Sequence, residues 1–142
     1  MPDIDVPHGA STLDIRVYYE DTDAGGVVFY ANYLKFLERG RTEWLRRLGV
    51  DQTELAATEQ RIFVVKKLDI QYQRPARLDD LITVHSRLTR VGHASLDFHQ
   101  TARLGEHTLC ESNVQVCCVD PSTLKPAGFP PFLRTLLKKV QA

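Results

Sequence analysis

What this chain lacks first is charge of one sign. Its 18 Lys and Arg balance 18 Asp and Glu, so no general basic field draws it to nucleic acid. A ligand carrying phosphates would need a local basic patch instead. Long apolar runs are missing too: no stretch approaches the ~20 residues of a membrane span. The opening Met-Pro-Asp-Ile-Asp is acidic and has no apolar core, so a secretory signal is not expected there. Cysteine is scarce, with three in all: Cys110, Cys117 and Cys118. Two adjacent cysteines on a strand point to opposite faces and do not bridge easily. The odd count and the absence of a framework spacing argue for a reducing compartment, hence a cytoplasmic location. All three read as small buried hydrophobes. No His/Cys cluster has zinc spacing, so no metal is expected. There is no glycine-rich phosphate loop for ATP or a dinucleotide. Ser95 and Ser112 lie in apparent strands without a Gly-x-Ser-x-Gly elbow, and no base stands beside Cys117 or Cys118. The length suits one domain, over residues 1–142, with a sizeable core.

What is present is a change of period. Residues 1–12 read as a polar lead-in, and Leu13 to Tyr19 as a first strand. Tyr33, Leu37, Trp44 and Leu48 then recur at helical spacing, with Leu34, Phe36, Leu45 and Val50 nearby. Gly40 costs roughly 1 kcal/mol against Ala inside a helix, which suggests close packing against a sheet. Gly49 is the expected stop, and a second short helix is expected over Gln52 to Thr58. From residue 61 the period is two. Strands are expected over Ile62–Gln73, Leu81–Val91, Ser95–Leu104 and Leu109–Val119, with a tight turn at Gly105-Glu106. In the third of these, Leu96, Phe98 and Ala102 share one face; Asp97, His99, Thr101 and Arg103 share the other. Pro130-Pro131 opens a last helix with Phe132, Leu133, Leu136, Leu137 and Val140 as its apolar face. One strand, a long helix and a four-strand meander make an α+β domain.

The chemistry concentrates between the first strand and the long helix, in Tyr18-Tyr19-Glu20-Asp21-Thr22-Asp23-Ala24-Gly25-Gly26-Val27-Val28-Phe29-Tyr30-Ala31-Asn32-Tyr33. Gly25 and Gly26 let the backbone turn and approach a ligand. The helix that follows presents unpaired N–H groups and a positive dipole end. A carboxylate beside such a tip suits acyl transfer, where negative charge develops on an oxygen. From spacing alone, Asp-Thr-Asp-Ala-Gly-Gly is equally good turn chemistry. A calcium loop starting at Asp21 fails, because Gly25 and Asn32 stand where ligands are needed.

Asp-x-Asp-x-x-Gly-x-Val-x-Tyr-x-Asn-Tyr resembles the active-site signature of the 4-hydroxybenzoyl-CoA thioesterase family of hotdog-fold proteins. The run Glu38-Arg39-Gly40-Arg41-Thr42-Glu43, with Arg74-Pro75-Ala76-Arg77-Leu78-Asp79-Asp80, is more similar to the bacterial Tol–Pal-associated acyl-CoA thioesterases. The likeness extends from about Ile15 to the last helix. It implies a hotdog fold, a five-stranded antiparallel sheet wrapped around one long central helix, plus a short C-terminal helix. It also implies a thioester hydrolase acting on acyl-CoA or acyl carrier protein, forming dimers or paired dimers with sites at the subunit interface. Coenzyme A is then part of the substrate and no separate cofactor is expected. Peripheral membrane association is compatible with this reading.

Carried over residue by residue, the resemblance makes Asp23 the catalytic carboxylate, as general base or nucleophile. Asp21 becomes a structural loop residue. Tyr30 becomes the position whose main-chain N–H polarises the thioester carbonyl, with its ring lining the pocket; Tyr33 reads, apart from the resemblance, as a core aromatic. Gly26 and Val27 are the loop's substrate-binding candidates. Arg90 and His93 are candidates for the coenzyme A phosphates, with Arg74, Arg77, Lys66 and Lys67 as alternatives. Two rival functions stand beside hydrolysis: a non-catalytic acyl-carrier-binding or Tol–Pal-associated scaffold, and a hotdog dehydratase. The second is weaker, since no His occupies the loop or the start of the helix.

Overall fold

The computed structural model describes residues 9–141. Five strands, β1 (Ala10–Arg16), β2 (Ile62–Tyr72), β3 (Leu81–Val91), β4 (Ser95–Leu104) and β5 (His107–Val119), form one antiparallel sheet in the order β1-β3-β4-β5-β2. Three α-helices accompany it: α1 (Asn32–Leu48), α2 (Gln52–Glu59) and α3 (Pro131–Val140). The α+β hotdog architecture is therefore the one the sequence leads to.

Alternation along the strands decides which face meets α1. Leu96, Phe98 and Ala102 of β4 are buried, as are Val84 and Leu88 of β3, and their apolar side chains form the floor beneath the helix. From above, α1 buries Tyr33, Phe36, Leu37, Trp44 and Leu48 at the expected spacing. Leu34, from the same run, stays outside that stripe and is exposed. The helix stops at Gly49, whose φ of 98° is left-handed and whose N–H returns to Arg46 O. Asp51 caps α2 by accepting from the N–H groups of Thr53 and Glu54. In α3, Leu133, Leu137 and Val140 enter the same core as Trp44 and Leu88, so its apolar face packs on the domain. Phe132, assigned to that face from its spacing, is instead half exposed. Cys110, Cys117 and Cys118 are buried and unbridged, and burial pushes the thiols of Cys110 and Cys118 up to about 11.

Gly40 explains how close the helix lies. A Cβ there would sit 2.7 Å from Val84 Cγ1 and 2.9 Å from Ser86 Oγ. Gly40→Ala is expected to lose up to about 2 kcal/mol net, because overpacking costs ~1–3 kcal/mol while helix propensity returns ~1. Chemical denaturation measures this; unchanged stability would mean that the sheet yields without strain.

Three expectations need correction. The first strand spans Ala10–Arg16, not Leu13–Tyr19. Ala10 to Thr12 pair with β3, so that part of the lead-in is ordered sheet; residues 1–8 lie outside the described residues. The far end is shortened because the Asp21 carboxylate takes the Tyr18 N–H and turns the chain out of the ladder. The hairpin turn falls on Gly105-Glu106 as expected, but pairing resumes directly after it, so β5 begins at His107, not Leu109. Finally, β2 to β5 are not a simple meander. β2 pairs with β5, so the connection over residues 73–80 crosses from one sheet edge to the β1 side. A tight turn cannot span three strand spacings of roughly 4.8 Å each, whereas this longer Pro75-containing segment can. That crossover matters because it passes beneath the α1 tip.

Candidate active site

The loop between β1 and α1 is built around one inward carboxylate. Val17 leaves the sheet still held by two backbone bonds, from its N–H to Asp80 O (2.9 Å) and from Asp79 N–H to its own carbonyl (3.0 Å). A single 3-10 turn, Tyr19–Asp21, then reverses the chain. Asp21 is only 6% exposed. Its Oδ2 accepts from Tyr18 N–H and its Oδ1 from Asn32 Nδ2, both at 2.8 Å. It thus joins the end of β1 to the first residue of α1. Asp21→Ala would leave the buried Asn32 amide and the part-buried Tyr18 N–H unpaired, and is expected to cost about 2–4 kcal/mol in denaturation experiments. A loss below about 1 kcal/mol would mean that water replaces the carboxylate.

Asp23 lies at the tip of a miniature hairpin. Thr22 bridges Val28, Asp23 N–H donates to Val27 O (2.9 Å), and Gly26 N–H donates to Asp23 O (3.0 Å). Gly26 has φ 78°, a left-handed conformation that glycine adopts without strain. No atom lies within 4 Å of a Cβ built on it, so backbone conformation, not crowding, requires glycine there. Asp23 Oδ1 accepts from Gly25 N–H at 2.8 Å, the turn bond expected of Asp, and its other oxygen is free among the described residues. The side chain is exposed. Turn former and available carboxylate are therefore compatible roles. Val27 forms a bridge with Arg77, and Val28 N–H donates to Ala76 O (2.8 Å), so the crossover holds the hairpin from below.

Next to this hairpin the helix begins. Its first N–H groups are satisfied early: Asn32 N–H donates to Phe29 O (2.8 Å) and Leu34 N–H to Ala31 O (3.1 Å). The N–H groups of Tyr30 and Ala31, just before the helix, have no partner among the described residues. The carbonyl of Tyr30 is fixed by the hydroxyl of Tyr72, which donates to it at 2.9 Å. A cleft of about 250 Å³ opens here, lined by Val28, Tyr30, Tyr33, Tyr72, Gln73, Arg74 and Pro75. Tyr33 is buried, and its hydroxyl accepts from Ala76 N–H at 3.0 Å, in keeping with a core role. Burial raises the Tyr33 and Tyr72 phenols above their ordinary value, so both stay protonated donors at neutral pH. Asp23 stands outside the lining of this cleft, on the adjoining loop.

Arg90 and His93 do not join Asp23, Gly26, Val27 and Tyr30 within the chain. β3 starts beside the loop and runs away from it, so Arg90 near its far end lies about 30 Å along the strand. There Arg90 faces Asp97 at 3.7 Å. His93 is engaged by α3: Arg134 Nη2 lies 3.2 Å from its Nδ1 and donates to its carbonyl at 3.0 Å. Of the four alternatives the two arginines arrive, while Lys66 and Lys67 stay exposed on β2 and line neither the loop nor the cleft. Arg74 lines the cleft and Arg77 bridges the loop. Sequence spacing missed Tyr72, Ala76 and Asn32 as site-builders. The Pro75 break after a long strand was the available signal, because it marks a segment free to cross the sheet.

The profile of the thioesterase superfamily matches residues 25–112. The chain belongs to that superfamily. The matched span starts just after Asp23 and covers the Tyr30 cleft, α1 and the crossover. The "Acyl-CoA thioesterase YbgC" of Haemophilus influenzae is 47% identical over 119 residues, 84% of this chain and 88% of that protein. The "Acyl-CoA thioester hydrolase YbgC" of Escherichia coli O157:H7 is 48% identical over 117 residues, 82% of this chain and 87% of that one. Among solved structures of superfamily proteins, a "Probable Thioesterase" from Bartonella henselae superposes with TM-score 0.82 at 37% identity, covering 85% of this chain and 99% of its own.

Proposed function

We propose that this protein hydrolyses acyl thioesters of coenzyme A to the free acid and thiol. The observation that supports the reading is that one carboxylate oxygen of Asp23 and the N–H groups of Tyr30 and Ala31, all without a partner among the described residues, belong to a single short loop. The N–H groups and the dipole of α1 stabilise negative charge on the thioester oxygen. Asp23 either draws a proton from water or attacks the carbonyl carbon itself, forming a mixed anhydride that water then opens. Either route ends with the carboxylic acid and a protonated thiol.

A second copy completes this picture. β2 is a sheet edge with one side unpaired, and Val64 and Val65 on it are 37% and 48% exposed, unusual for β-branched residues on a strand. Antiparallel pairing of two such edges turns one copy end for end. The β3–β4 turn of the second copy then lies at the same end as the Asp23 loop of the first. Arg90 and His93 belong to the coenzyme A site only in that arrangement, while Arg74 and Arg77 serve it within one chain. Dimers, or dimers paired into tetramers, acting in the cytoplasm, are part of the same proposal. Among the described residues no helix is long and apolar enough to cross a membrane.

The test is thiol release from a panel of short, long and aromatic acyl-CoA substrates and an acyl carrier protein thioester. Hydrolysis of at least one supports the reading. Saturable binding with no release from any would overturn it in favour of an acyl-carrier-binding scaffold.

A further inference from the structure

Arg41 is a cation in a place that disfavours cations. It projects from the middle of α1 and is 8% exposed. Its Nη1 donates to Gln100 Oε1 at 3.0 Å. Gln100 is neutral, and its own nitrogen is taken by Leu37 O (2.9 Å) and Ser86 Oγ (2.8 Å). No carboxylate forms an ion pair with Arg41 among the described residues. Burial lowers the guanidinium below its ordinary value, and Glu38, one turn away and exposed, works the other way without reaching ion-pair distance. A guanidinium has five N–H donors, and Gln100 takes one. Among the described residues no fully buried side-chain nitrogen lacks a partner, so Nε and Nη2 of Arg41, which make no hydrogen bond there, border open space.

That space is a groove of about 100 Å³ between α1 and β2. Phe63 and Val65 wall it on the β2 side, Leu96 and Phe98 floor it, and Glu38 stands at its rim beside Arg41. Its apolar walls suit an alkyl chain, and its one cation, the Arg41 guanidinium, suits an anion. Leu34, Glu38 and Arg41 follow one another at helical spacing along the same side of α1. From Asn32, the first helical residue, to Arg41 the axis advances about 14 Å. A chain held by its carbonyl at the helix tip and laid along this seam therefore brings its far end to the guanidinium. A methyl end leaves the donors without an acceptor; a carboxylate accepts from two of them at once.

We infer that Arg41 makes this site select acyl groups carrying a carboxylate at the far end of the chain, the half-thioesters of dicarboxylic acids. The inference rests on the thioesterase reading and adds its substrate class. The experiment compares kcat/KM for adipyl-, suberyl- and sebacyl-CoA with that for hexanoyl-, octanoyl- and decanoyl-CoA. At one or more lengths the carboxylated member should be preferred. Arg41→Gln should cut that preference by about tenfold or more, the expected worth of a hydrogen bond to a charged group. Arg41→Lys should keep part of it, since the charge remains but the fork is lost. Glu38→Gln should raise it by about twofold, because a repelling charge leaves the rim.

If Arg41→Gln does not fold, Glu38→Gln decides alone, and an unchanged preference overturns the inference. Hydrolysis of the methyl-ended series with an equal or lower rate for the carboxylated one overturns it and leaves the hydrolase reading intact. So does a change in sedimentation of Arg41→Gln with an unaltered preference, since Arg41 would then serve a second copy of the chain. Hydrolysis of neither series overturns the inference, and the hydrolase reading falls with it only if the aromatic and acyl-carrier thioesters are also left intact.

Discussion

Asp23→Asn is expected to lose roughly two to four orders of magnitude in acyl-CoA hydrolysis, the range for removing a positioned proton acceptor. The fold should not follow. Asp23 is exposed, and among the described residues the one bond its side chain makes is accepted from Gly25 N–H at 2.8 Å. The amide oxygen of Asn accepts the same bond and forms the same turn. Thermal denaturation should therefore match the parent to within about 1 kcal/mol, as for other surface substitutions that disturb no special feature. A single turnover in labelled water identifies the nucleophilic route if solvent oxygen appears in Asp23, because only a mixed anhydride opened at the Asp23 side-chain carbon puts it there. If Asp23→Asn hydrolyses acyl-CoA as fast as the parent, Asp23 is a turn residue and nothing more.

The second large effect is on stability. Trp44→Ala is expected to cost about 3–5 kcal/mol, the usual range for deleting a buried aromatic side chain. Trp44 is completely buried and meets Phe98 edge to face, with ring centroids 5.0 Å apart. Around it lie Leu88, Leu96, Leu133 and Leu137, so it joins the sheet, α1 and α3 in one cluster. Its Nε1 also donates to Gly9 O at 2.8 Å, tying down the chain just before β1. Trp44→Phe keeps most of the apolar volume and loses that bond, so it should cost about 1–2 kcal/mol. Urea titration of both variants divides packing from hydrogen bonding. Equal losses would show that the bond to Gly9, not the ring, carries the effect.

Much of this architecture was written in the periodicity. β3 and β4 occupy the residues that alternation marks out, and α1 ends at the glycine expected to end it. These elements are long and one-sidedly buried, so composition and face agree. The signal weakened wherever a side chain competes with the backbone. Asp21 cuts β1 short through the Tyr18 N–H, and no local pattern shows an acceptor arriving from three residues ahead. Pairing order was equally hidden: a strand's pattern says which face is buried, not which neighbour it takes. Hence the crossover, and with it the support that Ala76 gives Tyr33 and Val28, came only with the tertiary arrangement. The loop carrying Asp23 was legible because its glycines, carboxylates and aromatics are contiguous. Arg90 and His93 were harder, since position along a strand does not reveal which end of the sheet it reaches. Gln100 broke the alternation it sits in, a polar residue between Phe98 and Ala102 on the buried face.

That buried amide governs more than local satisfaction. Gln100 grips α1 at two points one turn apart, the main chain of Leu37 and the side chain of Arg41. If the rod rolled about its long axis, both grips would part together. Its azimuth is thus locked from the centre of the sheet, and whatever stands at the rod's end inherits the direction so imposed. A substitution at residue 100 would register as poor aim before it registered as melting.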